Sequence, residues 1–348
     1  MAKSTHRILV LFLLGFCALS GCKPDDEPEP TIDVTPGLVY LVNEGNFQWG
    51  NASMATYDPD TKEFVDELFK KSNGYPIGDV FQSIVRHKGS FLLALNNSGK
   101  IVKIDTTTLK VVKEYAGFQS PRYILPLDDQ VVLVTDLYSN FVSVLNLESG
   151  SVTKKISLTG WSEQMLRVND EVWIGNRQND KVYVVDVASL ELTDSLTLAH
   201  QINSLRQDAT GALWIICQGD EAKKLRGALF RIDPLKKEVL DSFQFELKQN
   251  PFNLRMNPNA DTLYFINQHI FKMPVAASQL PSTSFIELPD KTPYGLDIDP
   301  SSGLLYFSDA IDYVSRSEVS VFEPGNGDLI HSFKAGVLCN HFLFPKKK

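Results

Sequence analysis

The sequence has few cysteines and histidines and lacks the short motifs that mark common catalytic or metal sites. It contains 4 Cys and 6 His in 348 residues. No Cys-x-x-Cys, His-x-x-x-His or Gly-x-Ser-x-Gly pattern occurs, which argues against a zinc ribbon, a zinc hydrolase and a nucleophile elbow. We therefore predict no catalytic residue, no cofactor and no metal ion.

Positive charge is scattered apart from one short C-terminal block, and no apolar run is long. The net charge is −8, from 34 Lys and Arg against 42 Asp and Glu, and the one basic block is at residues 346–348. Nucleic acid is therefore not an expected partner. The apolar run at residues 8–16 is too short to span a bilayer core of about 30 Å as a helix. No stretch keeps a 3.6-residue apolar period, so we expect almost no helix.

The first residues have the order of a bacterial lipoprotein signal. Lys3, His6 and Arg7 give a basic start, the apolar run follows, and Leu19-Ser20-Gly21-Cys22 matches a lipobox. We predict a signal peptide at residues 1–21 and a lipid anchor on Cys22, so that the membrane is contacted through the lipid alone. An ordinary signal peptide with an incidental cysteine is the alternative.

Residues 22–36 are predicted to form an acidic, proline-containing tether. The segment Lys23-Pro24-Asp25-Asp26-Glu27-Pro28-Glu29-Pro30 has too little apolar surface to fold. It resembles the signal that sends lipoproteins of Bacteroidota to the outer face of the outer membrane. We therefore predict a lipid-anchored, surface-exposed outer-membrane protein. A plain spacer on a periplasm-facing anchor is the alternative.

One strand pattern recurs seven times in the rest of the chain. Each copy is an alternating apolar strand that in most cases ends in an acidic or small polar residue and is followed by a short turn. The copies end at positions 58, 105, 146, 186, 233, 274 and 323, so successive ends are 40 to 49 residues apart. This period predicts an all-β fold over residues 37–348, a seven-bladed β-propeller with four strands in each blade.

The two ends of the repeat region predict how the ring closes. Residues 38–42 form a second-strand sequence with no inner strand before it, and residues 337–344 form an inner-strand sequence with nothing after it. The C-terminal strand is therefore expected to complete the first blade. Cys217 and Cys339 fall in different repeats, so we expect two buried thiols rather than a disulfide.

One face of such a propeller collects the loops between second and third strands and the crossings from each outer strand to the next inner strand. We predict ligand contacts there from Phe47, Trp49, Asn51, Tyr75, Asn97, Phe118, Tyr138, Trp161, Arg177, Gln218, Gln268 and Tyr313. Tight turns by themselves favour Asn and Gly, but they do not require aromatic residues. Aromatic rings beside carboxamides suit a large neutral ligand that bears amide or hydroxyl groups.

Two further groups could meet on this face near the axis. They are His200, His269 and His341 as a metal site, and Asp309, Asp312 and Glu44 as a cation site. Solvated loop histidines, salt bridges and turn capping are the commoner roles of such residues.

Several longer segments resemble the YncE-like surface-layer propeller lipoproteins of Bacteroidota over the whole repeat region. They are Asn43-Glu44-Gly45-Asn46-Phe47, Asn51-Ala52-Ser53, Gly78-Asp79-Val80-Phe81-Gln82-Ser83-Ile84-Val85, Gly117-Phe118-Gln119-Ser120-Pro121-Arg122-Tyr123-Ile124, Ser162-Glu163-Gln164-Met165, Asp261-Thr262-Leu263-Tyr264 and Asp309-Ala310-Ile311-Asp312-Tyr313. This group includes the BtuG-type cobalamin-binding surface lipoproteins. The resemblance implies capture of cobalamin (vitamin B12) or related corrinoids, which are passed to a TonB-dependent outer-membrane transporter of the BtuB type.

Two other functions stay open at this point. The propeller could be a scaffold or adhesion module that binds another protein at the cell surface. It could also be a propeller enzyme, such as a metal-dependent lactonase. Such a lactonase would need a cluster of acidic metal ligands in the central channel, whereas the inner-strand segments contain mostly apolar residues, Asn and Arg. We therefore predict a binding protein without enzymatic activity.

Overall fold

The alternating apolar segments form antiparallel strands that are grouped in seven sheets around a ring. The computed structural model describes residues 37–345. Neighbouring inner strands contact one another around the ring, and the last inner strand returns to the first. The predicted seven-bladed β-propeller is confirmed. The predicted signal peptide, Cys22, the tether to residue 36 and residues 346–348 lie outside the described residues.

The strands of each blade follow one another outward from an inner strand at the axis. The first blade contains β1 (Val39–Asn43), β2 (Ser53–Tyr57) and β3 (Phe64–Val65), and its inner strand comes from the C-terminal end. A short helix, α1 (Leu68–Asn73), leads to the second blade. The second and third blades contain β4 (Phe81–His87), β5 (Ser90–Leu95), β6 (Lys100–Asp105) and β7 (Val111–Ala116), then β8 (Pro121–Pro126), β9 (Val131–Asp136), β10 (Phe141–Asn146) and β11 (Val152–Ser157).

The remaining blades repeat this order. The fourth and fifth blades contain β12 (Ser162–Val168), β13 (Glu171–Asn176), β14 (Lys181–Asp186) and β15 (Leu192–Thr197), then β16 (Ile202–Gln207), β17 (Leu213–Cys217), β18 (Ala228–Asp233) and β19 (Glu238–Gln244). The last elements are β20 (Phe252–Met256), β21 (Thr262–Asn267) and β22 (His269–Pro274) in the sixth blade, β23 (Pro293–Ile298), β24 (Leu305–Asp309), β25 (Arg316–Phe322) and β26 (Leu329–Val337) in the seventh, and β27 (Cys339–Leu343).

The C-terminal strand closes the ring, as predicted. β27 is the inner strand of the first blade and pairs antiparallel with β1, with Tyr40 opposite Leu343. Two backbone hydrogen bonds extend this pairing, from Glu44 N to Leu338 O (2.9 Å) and from Gly45 N to Val337 O (3.0 Å). The closure leaves no open inner edge in the first blade.

The acidic residue after most third strands caps the turn into the fourth strand. Asp105 Oδ1 accepts hydrogen bonds from Thr107 N (3.0 Å) and Thr108 N (2.8 Å). Leu109 N donates to Asp105 O at 3.0 Å and so closes the turn. The same arrangement recurs at Asp58, Asn146, Asp186 and Asp233. The recurring residue of the sequence repeat is therefore a turn cap.

Second strands fill the space between blades. Residues 91–95 of β5 are completely buried, which explains why second strands are continuously apolar rather than alternating. Trp173 and Trp214 are the largest completely buried side chains of the described residues. Cys217 and Cys339 are buried free thiols, as predicted, and burial raises the pKa of Cys217 to about 12.

The sixth blade differs from the expectation of four strands in every blade. Its sheet contains only β20, β21 and β22. The segment that follows contains Pro281 and Pro289, which lack the N–H group that a sheet ladder requires. Its backbone pairing with the sheet is one isolated bridge between Ile270 and Ile286. Ile286 still lies in the core, so the segment covers the blade without forming an outer strand.

Within residues 37–345, no helix has the length and apolar character needed to cross a membrane.

Replacing Asp105 by alanine should lower the free energy of unfolding by about 1–2 kcal/mol. The substitution removes the two backbone hydrogen bonds of the turn and a third from Thr108 Oγ1 (3.0 Å). Asp105→Asn keeps the Oδ1 acceptor and should lose less stability. Urea denaturation measures both changes, and equal losses in the two variants would contradict the capping role.

Deleting residues 339–348 should abolish cooperative unfolding and cause aggregation. The deletion removes β27 and exposes the backbone edge of β1 to other chains. Thermal melting followed by circular dichroism, together with size-exclusion chromatography, measures both effects. Deleting only residues 346–348 is the control. A chain without β27 that melts like the control would show that closure is not required.

Candidate functional site

A cavity of about 450 Å³ lies on the axis of the propeller, and we call it the central channel. All seven inner strands contribute side chains to its wall. The lining residues are Glu44, Gln82, Ser83, Ile84, Val85, Arg122, Tyr123, Ile124, Trp161, Glu163, Gln164, Met165, Arg177, Asn203, Arg206, Phe252, Asn253, Arg255, Tyr294, Asn340 and His341.

A β-bulge near the start of every inner strand shapes this wall. Each inner strand shifts register against its second strand at this place. A bulge inserts one extra residue and redirects a side chain, so it can point a polar group toward the axis. The second residue of each inner strand is polar and lines the channel. We call these seven residues the polar ring: Gln82, Arg122, Glu163, Asn203, Asn253, Tyr294 and Asn340.

Glu44 joins three members of the polar ring. Gln82 Nε2 donates a hydrogen bond to Glu44 Oε1 at 3.0 Å, Asn340 Nδ2 donates to the same oxygen, and the Tyr294 hydroxyl donates to Oε2. Burial raises the pKa of Glu44, although Arg122, Tyr294 and Asn340 oppose the rise. One carboxylate from the loop after β1 therefore connects the seventh, first and second blades.

Arg122 and Glu163 form a buried ion pair between the third and fourth blades. Arg122 Nε donates to Glu163 Oε1 at 2.8 Å, and another guanidinium nitrogen donates to Gln82 Oε1. Arg177 Nε lies 3.5 Å from Glu163 Oε2, so this carboxylate faces two guanidinium groups. Burial alone would lower the pKa of Arg122, but the charge of Glu163 leads the interactions that raise it. Burial raises the pKa of the neighbouring Tyr123 to about 12.

A second buried ion pair connects the sixth and seventh blades. Arg255 Nε donates to Asp297 Oδ1, and His341 Nδ1 lies 2.7 Å from Asp297 Oδ2. Phe342 N also donates to Asp297 Oδ2 at 2.9 Å. Burial would raise the pKa of Asp297, but Arg255, His341 and this N–H group hold it well below its usual range.

All twelve residues predicted to contact a ligand lie in connections on the predicted face. Five of them are aromatic side chains that are 44% to 72% exposed. We call these the aromatic rim: Phe47, Trp49, Tyr75, Tyr138 and Tyr313. Two others, Trp161 and Arg177, line the central channel itself. Tyr313 stacks edge-on against Tyr294 of the polar ring, with ring centres 6.2 Å apart, and so connects the rim to the channel.

The other five predicted residues are placed differently. Asn51 Oδ1 accepts from Asn46 N (2.7 Å) within its own loop, and Asn97 Nδ2 donates to Asp79 Oδ2 (2.5 Å). These two side chains brace loops. Phe118 is partly buried against the core between the second and third blades. Gln268 is exposed, and the buried Oε1 atom of Gln218 has no partner among the described residues.

Sequence reasoning missed the polar ring as a site. Its signal is present in the sequence as a polar residue that directly follows the first residue of each inner strand. Examples are Phe81-Gln82, Ile202-Asn203 and Cys339-Asn340. If the seven repeats are aligned on their second strands, these polar residues fall at equivalent positions of the inner strands.

The three histidines considered as a metal site do not come together. Each pairs with a different acidic residue: His200 Nδ1 with Asp220 at 4.0 Å, His269 Nε2 with Glu287 at 3.7 Å and His341 Nδ1 with Asp297 at 2.7 Å. No group of three His, Cys, Asp or Glu side chains suited to a metal ion occurs within residues 37–345.

The acidic residues considered as a cation site have structural roles. Asp309 Oδ1 accepts from Thr292 N and Ile311 N, both at 2.9 Å, while Asp312 Oδ1 accepts from Val314 N at 3.0 Å. Turn capping thus accounts for Asp309 and Asp312, and Glu44 is engaged by the polar ring.

Residues 37–346 match the family model DUF5074, which is described as a domain of unknown function. The chain belongs to the DUF5074 family. No functionally curated protein matches it. The match covers the whole DUF5074 propeller described above, including the aromatic rim and the polar ring.

Solved structures share the fold of this DUF5074 propeller at low sequence identity. A quinoprotein alcohol dehydrogenase-like protein from Bacteroides thetaiotaomicron is 16% identical, with a TM-score of 0.71 over 88% of this chain and 78% of that chain. The dihydro-heme d1 dehydrogenase NirN is 13% identical, with a TM-score of 0.61 over 88% and 75%. The β-propeller domain of Cps50 (Swd1) from Myceliophteria thermophila is 14% identical, with a TM-score of 0.57 over 73% and 86%.

Asp297→Asn should destabilise the propeller by about 3–5 kcal/mol at neutral pH, because Arg255 loses its carboxylate partner. The pKa of Asp297 is lower in the folded chain than its unfolded value near 3.9. Its stabilisation is therefore complete above that value and is lost as the pH falls toward the folded pKa.

Chemical denaturation at pH 7, 5 and 3 measures this effect. The wild type should lose more stability between pH 5 and 3 than Asp297→Asn does. Asp129→Asn is the matched control, since Asp129 forms an exposed pair with Lys88. If Asp297→Asn costs no more than the control at pH 7, the buried pair is not a stabilising contact.

Proposed function

We propose that this DUF5074 propeller binds cobalamin or a related corrinoid on its loop face without catalysing a reaction. We further propose that it is anchored to the outer face of the outer membrane through Cys22. From there it delivers the ligand to a TonB-dependent transporter of the BtuB type. The lipobox, the acidic tether and the resemblance to BtuG-type lipoproteins support the anchoring and delivery steps.

The observation that carries the binding proposal is the aromatic rim around a hydrogen-bonding channel. Exposed aromatic side chains at a concave mouth are typical of small-molecule and interaction sites. The loop that carries Phe47 and Trp49 is held from both sides. Asn46 Nδ2 donates to Tyr313 O at 2.6 Å, and Gln48 N donates to Asp79 Oδ2 at 2.8 Å. Such bracing reduces the entropy lost when the loop binds a ligand.

The polar ring supports a ligand that is rich in amide groups. Its carboxamides can donate and accept hydrogen bonds, as the amide side chains around a corrin require. The cavity volume of about 450 Å³ lies within the range of roughly 300–1,000 Å³ usual for small-molecule pockets. In this arrangement the macrocycle lies against the aromatic rim while its side chains reach into the channel.

The absence of catalysis is part of the same proposal. The carboxylates of Glu44, Glu163 and Asp297 are each engaged by two or more donors or cations. Groups held in this way fix the wall of a site and leave little freedom for proton transfer.

Calorimetric titration of residues 23–348 with cyanocobalamin should show one-to-one binding. Trp49→Ala and Tyr138→Ala should each weaken binding by about tenfold or more, because aromatic side chains that become buried on binding contribute about 2 kcal/mol or more at hot spots. Melting temperatures should not change, since both side chains are exposed. Leu235→Ala is the control, because Leu235 is exposed in a turn on the opposite face.

The absence of heat and of any change in melting temperature at saturating vitamin would exclude cobalamin. The aromatic rim would then favour the alternative of a scaffold or adhesion module that docks another protein. In that case single changes at the channel should be tolerated, and changes around the rim should weaken binding of the partner.

A further inference from the structure

The carboxylates around the central channel are already engaged by other groups. Glu163 faces Arg122 and Arg177, and Asp297 faces Arg255 and His341, while Glu44 accepts hydrogen bonds from Gln82, Tyr294 and Asn340. The channel wall also carries a fourth guanidinium group, Arg206 of β16. Within residues 37–345 no carboxylate forms a salt bridge with Arg206, and Asp297, whose charge acts on it, is paired with Arg255 and His341.

The hydrogen-bond acceptors of Arg206 among the described residues are neutral. One guanidinium nitrogen donates to Leu205 O at 2.6 Å and lies 3.4 Å from Gln164 Oε1 of the neighbouring blade. Burial, and after it the charge of Arg255, lowers the pKa of Arg206 to about 9. The group therefore stays positive at neutral pH. Arg206 is half-buried, and Asp297, whose charge favours the protonated guanidinium, is already shared with Arg255 and His341. An anion that reaches Arg206 would therefore stabilise it.

Two more donors in the same channel lack acceptors. Asn203 Oδ1 accepts from Asn253 N (2.8 Å) and Ser204 Oγ (3.0 Å), which leaves Asn203 Nδ2 without a partner among the described residues. The buried Trp161 Nε1 also has no acceptor. Asn203 and Arg206 belong to the fifth blade and Trp161 directly precedes the fourth, so the three lining residues come from neighbouring blades.

We propose that the central channel contains an oxyanion site in which Arg206, Asn203 and Trp161 bind a carboxylate or a phosphate group. The planar guanidinium fork matches the geometry of either group. The amide and indole N–H groups supply neutral donors beside it. The site requires only an anionic group on the ligand, so it does not rest on cobalamin capture.

Thermal melting of residues 23–348 in chloride, phosphate and acetate at equal ionic strength and pH tests this site. One of the two oxyanions should raise the melting temperature of the wild type by about 2–4 °C over chloride. A rise in phosphate identifies a phosphate site, and a rise in acetate identifies a carboxylate site. Arg206→Gln should abolish the rise. In chloride it should melt at or above the wild-type temperature, because it removes a partly desolvated positive charge that faces Arg255.

Two variants complete the experiment. Arg206→Lys keeps the charge but loses the fork, so it should retain less than half of the rise. Arg226→Gln is the matched control and should keep the full rise, because Arg226 is exposed and lies 3.6 Å from Glu246. The proposal is overturned if neither oxyanion stabilises the wild type more than chloride, or if Arg206→Gln shows the wild-type rise. Cyanocobalamin titration in chloride is a separate readout, so the two proposals can fail independently.

Discussion

The pairing of β27 with β1 is the contact on which both the ring and the central channel depend. It brings Asn340 to Glu44, 296 positions away in the sequence, where the two side chains form a hydrogen bond. The same strand places His341 beside Asp297. An open ring would keep the internal pairing of the other blades, but it would not assemble the polar ring. Closure therefore builds the candidate site as well as the fold.

The buried charges of the channel act between blades. Arg122 and Glu163 belong to the third and fourth blades, and Arg255 and Asp297 to the sixth and seventh. Burying such groups is unfavourable unless each one meets a partner. Each pair is therefore satisfied only when its two blades keep their relative positions. The apolar packing between second strands holds the blades together, while these pairs fix the arrangement of their inner ends.

The blades could be predicted from the sequence because second and third strands have strong local patterns and turn-capping residues such as Asp105. The loop face could also be predicted, since aromatic residues such as Tyr138 have no role in turn formation. The polar ring was missed because a bulge interrupts the alternation of side chains along each inner strand. A strict period of two then assigns Gln82 and the equivalent residues to the wrong side of the strand. The missing outer strand of the sixth blade depends on Pro281 and Pro289, which lie between two regular repeats.

The face that these elements build is not symmetric. The aromatic rim comes from connections of the first, second, third and seventh blades, and within residues 37–345 the connections of the other blades expose no aromatic side chain to a similar extent. On that side the channel presents Arg206 and Asn203 instead. A ligand with a flat neutral body and one polar end would therefore find different chemistry on the two sides of the mouth. The proposed stacking uses the rim and the proposed oxyanion pairing uses the fifth blade, so the two proposals together predict a single bound orientation.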